Sequence, residues 1–149
     1  LGFIGLCNQD HAFGDATYLG AGVGSSGHDE AGAGIWGLAG QASSVVGVGS
    51  SPWALRAATT LVGNIAVNDR MMFAIDRAAG KIWVGRNGTW LNSGDPAAGT
   101  NEWVNGVPTT DLIFLASSIY TGTGNTWRIQ AKASEQSYSP PSGFSAWGV

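Results

Sequence analysis

The strongest structural signal in this sequence lies in residues 70–88, which read RMMFAIDRAAGKIWVGRNG. Met71, Phe73 and Ile75 occupy alternate positions, which puts them on one face of a half-buried strand. A short turn ending at Gly80 is expected next, because glycine adopts a positive φ without strain. The following apolar run ends at an Asn-Gly pair, the strongest two-residue signal for a hairpin turn. Three strands joined by tight turns therefore predict an antiparallel meander.

The rest of the chain repeats this pattern of short apolar runs cut by Gly, Asn, Asp and Ser, which is typical of strands. We predict strands at Gly2–Leu6, Thr17–Leu19, Ser44–Val48, Leu61–Val67, Arg70–Asp76, Lys81–Arg86, Asp111–Ile119 and Thr126–Lys132. Gly20–Gly34 and Asn92–Thr110 are predicted as long loops, and Trp103 indicates that the second of them packs onto the domain. Many short strands in a chain of this size predict an all-β fold, either a sandwich or a barrel.

Composition narrows the classes of function. The 149 residues suit one domain, and only 11% of them are charged, with a net charge of −3. The seven basic residues are scattered, whereas a nucleic-acid binder carries them in a cluster. No apolar run approaches the length of a membrane span, so we expect neither nucleic acid nor membrane as a partner. Cys7 is the single cysteine, and its apolar neighbours predict a small core residue.

The meander also carries a family resemblance. Residues 68–90 resemble the central signature of SPRY domains, in which an apolar strand ends in Asp and the next strand runs into an Asn-Gly turn. Residues 91–101 are similar to an extension of bacterial and bacteriophage members. Residues 1–6 look like the family's early strand, and residues 138–144 look like its closing tail. The resemblance implies an antiparallel two-sheet, jelly-roll-like sandwich of the concanavalin-like superfamily, with a ligand met by loops at one end.

Three departures from the family pattern bear on this interpretation. Asn68 stands where the family usually has Gly, and residues 127–131 replace a common Asn-Phe-Gly. The family's usual first strand, with aromatics and a Glu, does not appear ahead of the strand that begins at Gly2. We therefore expect residues 1–149 to form a single SPRY-like domain that lacks its first strand or is part of a longer chain. An open sheet edge of this kind favours association.

Catalytic patterns are weak in this sequence. Glycoside hydrolysis needs two carboxylates flanking the sugar bond. The three glutamates, Glu30, Glu102 and Glu135, each lie in a predicted loop, and no acidic pair shares a strand face. Asp69 and Asp76 bracket one strand and are interpreted as turn residues. We expect no catalytic residues.

Metal and cofactor sites are not expected either. The acidic and histidine-containing clusters at residues 10–15 and 28–30 are interpreted as solvated loops rather than cation sites. Residues 22–27 spell Gly-x-Gly-x-x-Gly but lack the following helix that a dinucleotide site requires. The sequence has no Gly-x-Ser-x-Gly motif for a nucleophilic serine. No cofactor is predicted.

Several aromatic residues lie at or near predicted loops, namely Trp36, Trp53, Trp90, Trp103, Trp147 and Tyr120. They are the best candidates for a binding site, because they offer flat apolar faces to sugars or to proteins. Tyr120 is the strongest of them, since it stands where a predicted strand enters a loop rich in Gly, Thr and Asn. The predicted ligand-binding residues are Tyr120, Thr121, Asn125, Trp103, His11 and Phe13. The open alternative is that the aromatics only cap the ends of the sandwich.

Three hypotheses of function follow. The first is a non-catalytic recognition domain of a phage or bacterial surface protein, which binds a host glycan or protein and lies on a virion or at the cell surface. The second is a structural virion module that makes protein–protein contacts. The third and weakest is a polysaccharide-cleaving enzyme. We expect a homo-oligomer or a larger virion assembly in the first two cases.

Overall fold

The structure is a computed structural model, and it describes residues 2–8, 32–37, 44–48, 53–55, 65–119, 126 and 128–147. The described strands are β1 Gly2–Asn8, β2 Gly32–Gly37, β3 Ser44–Val48, β4 Ala54–Leu55, β5 Met71–Asp76, β6 Lys81–Arg86, β7 Thr89–Trp90, β8 Val104–Asn105 and β9 Ile113–Ile119. Two short 3-10 helices span Leu91–Ser93 and Ala133–Glu135. Within these residues there is no α-helix, which confirms the all-β class.

The first sheet has the order β3-β2-β1-β9, and all its pairs are antiparallel. β1 is one of its two inner strands, and Leu6 of β1 lies opposite Ala33 of β2 and Leu115 of β9. Leu6 and Cys7 are fully buried. Burial raises the pKa of the Cys7 thiol to about 11, so the core role predicted for this cysteine is confirmed.

The second sheet has the order β4-β8-β6-β5, with β7 paired to β6. The predicted meander is confirmed. In β5 and β6, Phe73 lies opposite Val84 and Ile75 opposite Ile82. The turn between them is held by Asp76, whose Oδ1 accepts a hydrogen bond of 2.9 Å from the backbone N–H of Ala79.

The turn between β6 and β7 has the geometry that its sequence predicts. Asn87 and Gly88 both have positive φ, at 51° and 86°, and Arg86 pairs with Thr89 on either side of them. This combination matches a type I′ hairpin turn, which suits the right-handed twist of the strands.

The core draws residues from both sheets and from the segment between β7 and β8. Leu6 of the first sheet clusters with buried residues of the second, namely Ile82, Val84 and Val104, and with Trp53, Trp103 and Val107. Ile113 and Leu115 of β9 pack against the same cluster. The residues described here thus form two antiparallel sheets around one core, while the jelly-roll sandwich remains a prediction.

The segment predicted as the second long loop folds back onto β6. Its chain closes on itself at Asp95 and Thr100, which exchange two backbone hydrogen bonds of 3.0 Å. Trp83 Nε1 donates a hydrogen bond of 2.7 Å to the Thr100 carbonyl, and Lys81 Nζ donates one of 2.7 Å to that of Gly99. The expectation that this loop packs onto the domain is confirmed, although it also contains the short strand β8.

Several predicted elements need correction. Thr126–Lys132 is not a strand in its described residues, and Ile129 is 61% exposed, so this apolar side chain does not pack into the core. Residues 65–67 also lie outside any strand. The end of the predicted loop Gly20–Gly34 belongs to β2, which begins at Gly32. The strand predicted at Thr17–Leu19 lies outside the described residues.

Candidate functional site

A groove of about 710 Å³ follows β5 and the residues that precede it. It is lined by residues 65–75 and by Ile4, Trp90, Leu115 and Ser117, together with residues 126, 128–131, 136–141, 144, 145 and 147. We call this the β5 groove. It is the larger of two clefts that share part of their lining, and it brings the meander together with the segment near the end of the chain.

Large apolar side chains of the β5 groove are open to solvent. Val67 is 90% exposed, Ile129 61%, Trp147 52% and Tyr138 39%. All four line the same groove. Single exposed apolar residues are normal on protein surfaces, whereas several in one concavity are typical of a binding surface.

The charged side chains of the β5 groove differ in whether they form an ion pair. Asp69 accepts hydrogen bonds from the backbone N–H of Ala66, from Asn87 Nδ2 and from Arg86, with which it also forms an ion pair. Burial alone would raise the pKa of the Asp69 carboxyl, but these donors outweigh it and hold the pKa below its ordinary value. Arg70 and Arg128 are exposed and form no ion pair within the described ranges. Among the described residues that line the groove, the charged side chains without an ion-pair partner are therefore both positive.

A second cleft of about 580 Å³ continues from the β5 groove through Ile75, Phe144, Ser145 and Trp147. It is also lined by Arg77, whose Nη2 donates hydrogen bonds to the carbonyl oxygens of Thr109 and Asp111. These bonds hold the guanidinium in one orientation beside the loop that leads into β9. We call this the Arg77 cleft.

Asp111 belongs to a buried polar network next to the Arg77 cleft. Only 8% of Asp111 is exposed, and its Oδ2 accepts a hydrogen bond of 3.0 Å from Trp53 Nε1 and one of 3.5 Å from Asn8 Nδ2. Trp53 and Asn8 are themselves buried. The network ties the end of β1 to the start of β4 and to the β9 loop. It has the features of a structural anchor, because its polar groups satisfy one another.

The described aspartates make structural contacts. Asp69, Asp76, Asp95 and Asp111 each accept hydrogen bonds that hold a turn or a buried contact. Glu102 is 1% exposed and lies 3.7 Å from Lys81 Nζ. The turn roles predicted for Asp69 and Asp76 are confirmed. Across the described ranges, no group of three or more His, Cys, Asp or Glu side chains is placed to hold a metal ion.

Of the predicted binding residues, only Trp103 lies within the described part of the chain. Its side chain is 2% exposed, its backbone N–H donates to the Ile82 carbonyl, and its ring packs 6.4 Å from that of Phe73. A ring in this position belongs to the core and offers no face to a ligand. Tyr120, Thr121, Asn125, His11 and Phe13 fall outside the described residues, so their roles stay predictions.

Sequence reasoning missed the residues that line the β5 groove. Val67 and Ile129 were assigned to strands, where their exposure is unexpected. Trp147 carried a signal as one of the aromatics near a predicted loop, and Tyr138 as part of the closing tail. No sequence pattern indicates that Arg70 and Arg128, far apart in the chain, share one groove.

The chain matches no known protein family, no curated protein and no solved structure. Among the described residues, no helix is long and apolar enough to cross a membrane.

Proposed function

We propose that this chain is a non-catalytic recognition domain that binds a glycan or a protein through the β5 groove. The observation that carries the proposal is the exposure of four large apolar side chains within that one groove. Burying such a surface against a ligand is favourable, at roughly 25 cal/mol per Å² of apolar area removed from water. Aromatic anchors such as Trp147 and Tyr138 contribute most where they insert into a partner.

The SPRY resemblance supports the same proposal and adds a jelly-roll sandwich as its fold. The described meander fits the pattern on which the resemblance rests. Asn68, which stands where that pattern usually has Gly, has a φ of 71°. Asparagine tolerates this left-handed region better than most residues, so the replacement keeps the backbone that a glycine would allow. We also propose that the protein lies on the surface of a virion or of a bacterial cell.

A structural virion module is a second candidate. Leu112 and Phe114 lie near the start of β9 and are 63% and 46% exposed. Phe114 does not line the β5 groove, so it adds an apolar surface outside it. A domain that uses this surface for assembly would bind neighbouring protein subunits and would not need to bind a small ligand. Cleavage of a polysaccharide is the weakest alternative, and turnover of glycans by the purified chain would establish it.

The test is binding of the purified 149-residue chain to a glycan array and to an octapeptide array. Trp147→Ala removes an exposed aromatic of the groove, and Phe114→Ala removes an exposed aromatic outside it. We expect binding on at least one array that falls with Trp147→Ala and persists with Phe114→Ala. Binding to neither array, or equal losses in the two variants, would contradict the proposed function.

A further inference from the structure

A continuous stretch of the chain lines the β5 groove. It comprises eleven consecutive residues, 65–75, and the last five of them, Met71 to Ile75, belong to β5. At about 3.3 Å per residue, five residues of a strand extend roughly 16 Å. This length suits an extended segment of about five residues.

β5 is also the terminal strand in the described strand order of its sheet, and it pairs with β6. Recognition at such a strand commonly adds an extended peptide alongside it, with pockets for alternate side chains. Met71, Phe73 and Ile75 pack against the hydrophobic core, and the parts of their surfaces that stay exposed line the groove. Val67 and Ile129 add exposed aliphatic surface to the groove, which suits the apolar side chains of a peptide.

The charges set a direction along the groove. Arg70 and Arg128 line the β5 groove, where Asp69 is already paired with Arg86. The Arg77 cleft, which shares Ile75 with the groove, is lined by charges of both signs, because Arg77 lies there with Asp76 and the buried Asp111. Acidic groups of a partner are therefore favoured beside Arg70 and Arg128.

We propose that the β5 groove binds an extended peptide segment of a partner protein that is apolar along its length and acidic at one end. The acidic end lies beside Arg70 and Arg128, and the apolar part lies against β5 and the exposed side chains of Ile129 and Trp147. This inference rests on the proposed recognition function and narrows its ligand from glycan or protein to an acidic, apolar peptide.

The experiment uses an array of octapeptides in which two terminal positions are Glu or Lys and the others alternate Val, Ile, Phe and Thr. We expect the chain to retain the acidic peptides over the basic ones by about tenfold, in line with two exposed charge contacts. The double variant Arg70→Gln and Arg128→Gln removes both charges and is expected to abolish this preference. Neither side chain forms an ion pair within the described ranges, so the melting temperature is expected to stay unchanged.

Lys132→Gln is the matched control, because Lys132 is an exposed cation outside the lining of the groove. It is expected to keep the wild-type preference for acidic peptides. Equal retention of acidic and basic peptides, or a preference that survives the double variant, would overturn the peptide proposal. Binding of polygalacturonate or another array glycan without binding of peptides would overturn it too, while the recognition function would stand. The recognition function itself fails when no glycan and no peptide is bound.

Discussion

The ring of Tyr138 lies directly against Gly88: a Cβ atom added to Gly88 would stand 2.9 Å from Tyr138 Cε1. The contact joins the closing segment of the chain to the hairpin turn between β6 and β7. Gly88 is thus constrained twice, by its φ of 86° and by a ring that occupies the space where a side chain would begin. Tyr138 also lines the β5 groove, so this turn helps to position the groove.

Replacing Gly88 by valine is expected to destabilise the fold. A β-branched residue resists positive φ, and backbone strain of this kind costs on the order of 1–3 kcal/mol. The free energy of unfolding in urea measures the loss. A variant as stable as the wild type would show that the turn does not require the conformation described for Gly88.

The strain and the ring contact can be separated by a double-mutant cycle. In Gly88→Ala, the added Cβ is opposed both by the positive φ and by the ring of Tyr138. When Gly88→Ala is combined with Tyr138→Ala, only the backbone strain remains. If the ring matters, the losses of the two single variants will not add in the double variant. Additive losses would assign the whole effect of Gly88→Ala to its φ.

Asp69 is expected to make the stability of the fold depend on acid pH. Its pKa is held below the ordinary value of 3.8, since the donors from Ala66, Asn87 and Arg86 outweigh the effect of burial. The carboxylate therefore contributes stability above about pH 4 and loses it as the pH falls through the folded-state pKa. Melting temperatures between about pH 2 and pH 7 should fall less steeply in acid for Asp69→Asn than for the wild type. Parallel curves for the two proteins would contradict this role.

The parts of the fold that sequence predicts well are those where local chemistry and tertiary packing agree. Ser44–Val48 and Lys81–Arg86 have the predicted bounds, and the Asn-Gly turn has the predicted backbone. β2 was not predicted from the sequence, because its residues Gly32–Gly37 include three glycines, which weaken any strand pattern. β2 forms through pairing with β1 and β3, a long-range effect that no local pattern contains.

The candidate site was harder to predict than the fold. Aromatic content indicated a binding surface, but not which aromatics are exposed. Trp103 and Trp147 both carried that signal, yet Trp103 is 2% exposed and Trp147 is 52% exposed. The difference arises because the segment before β8 pairs with β6 and carries Trp103 into the core. Side-chain accessibility of this kind depends on contacts between distant segments.

The buried network around Asp111 gives a further expectation for stability. Asp111→Ala would leave the buried Trp53 Nε1 without its acceptor, at a cost of about 1–3 kcal/mol. Asp111→Asn keeps a side-chain carbonyl oxygen that can accept this bond, so its loss should be smaller. Urea unfolding of both variants is the measurement. An Asp111→Ala chain that unfolds at the wild-type urea concentration would show that the network contributes little.

The last prediction distinguishes the site expected from sequence from the site described in the structure. If ligands bind in the β5 groove, Trp147→Ala weakens binding while Tyr120→Ala does not. If they bind at the loop that begins at Tyr120, the effects are reversed. In either case the loss of an aromatic anchor is expected to be about 2 kcal/mol, roughly thirty-fold in affinity. Trp147 is half exposed, so its truncation should leave the unfolding free energy nearly unchanged.

Tyr120 requires both measurements on one variant, because a ring that caps the core would lower stability by a few kcal/mol when removed. Affinity is therefore compared after correction for the folded fraction of each chain. A loss of stability with unchanged affinity would assign Tyr120 to packing. If only Tyr120→Ala lowers the affinity, the ligand binds at the loop and not in the β5 groove, because Trp147 then contributes nothing to binding.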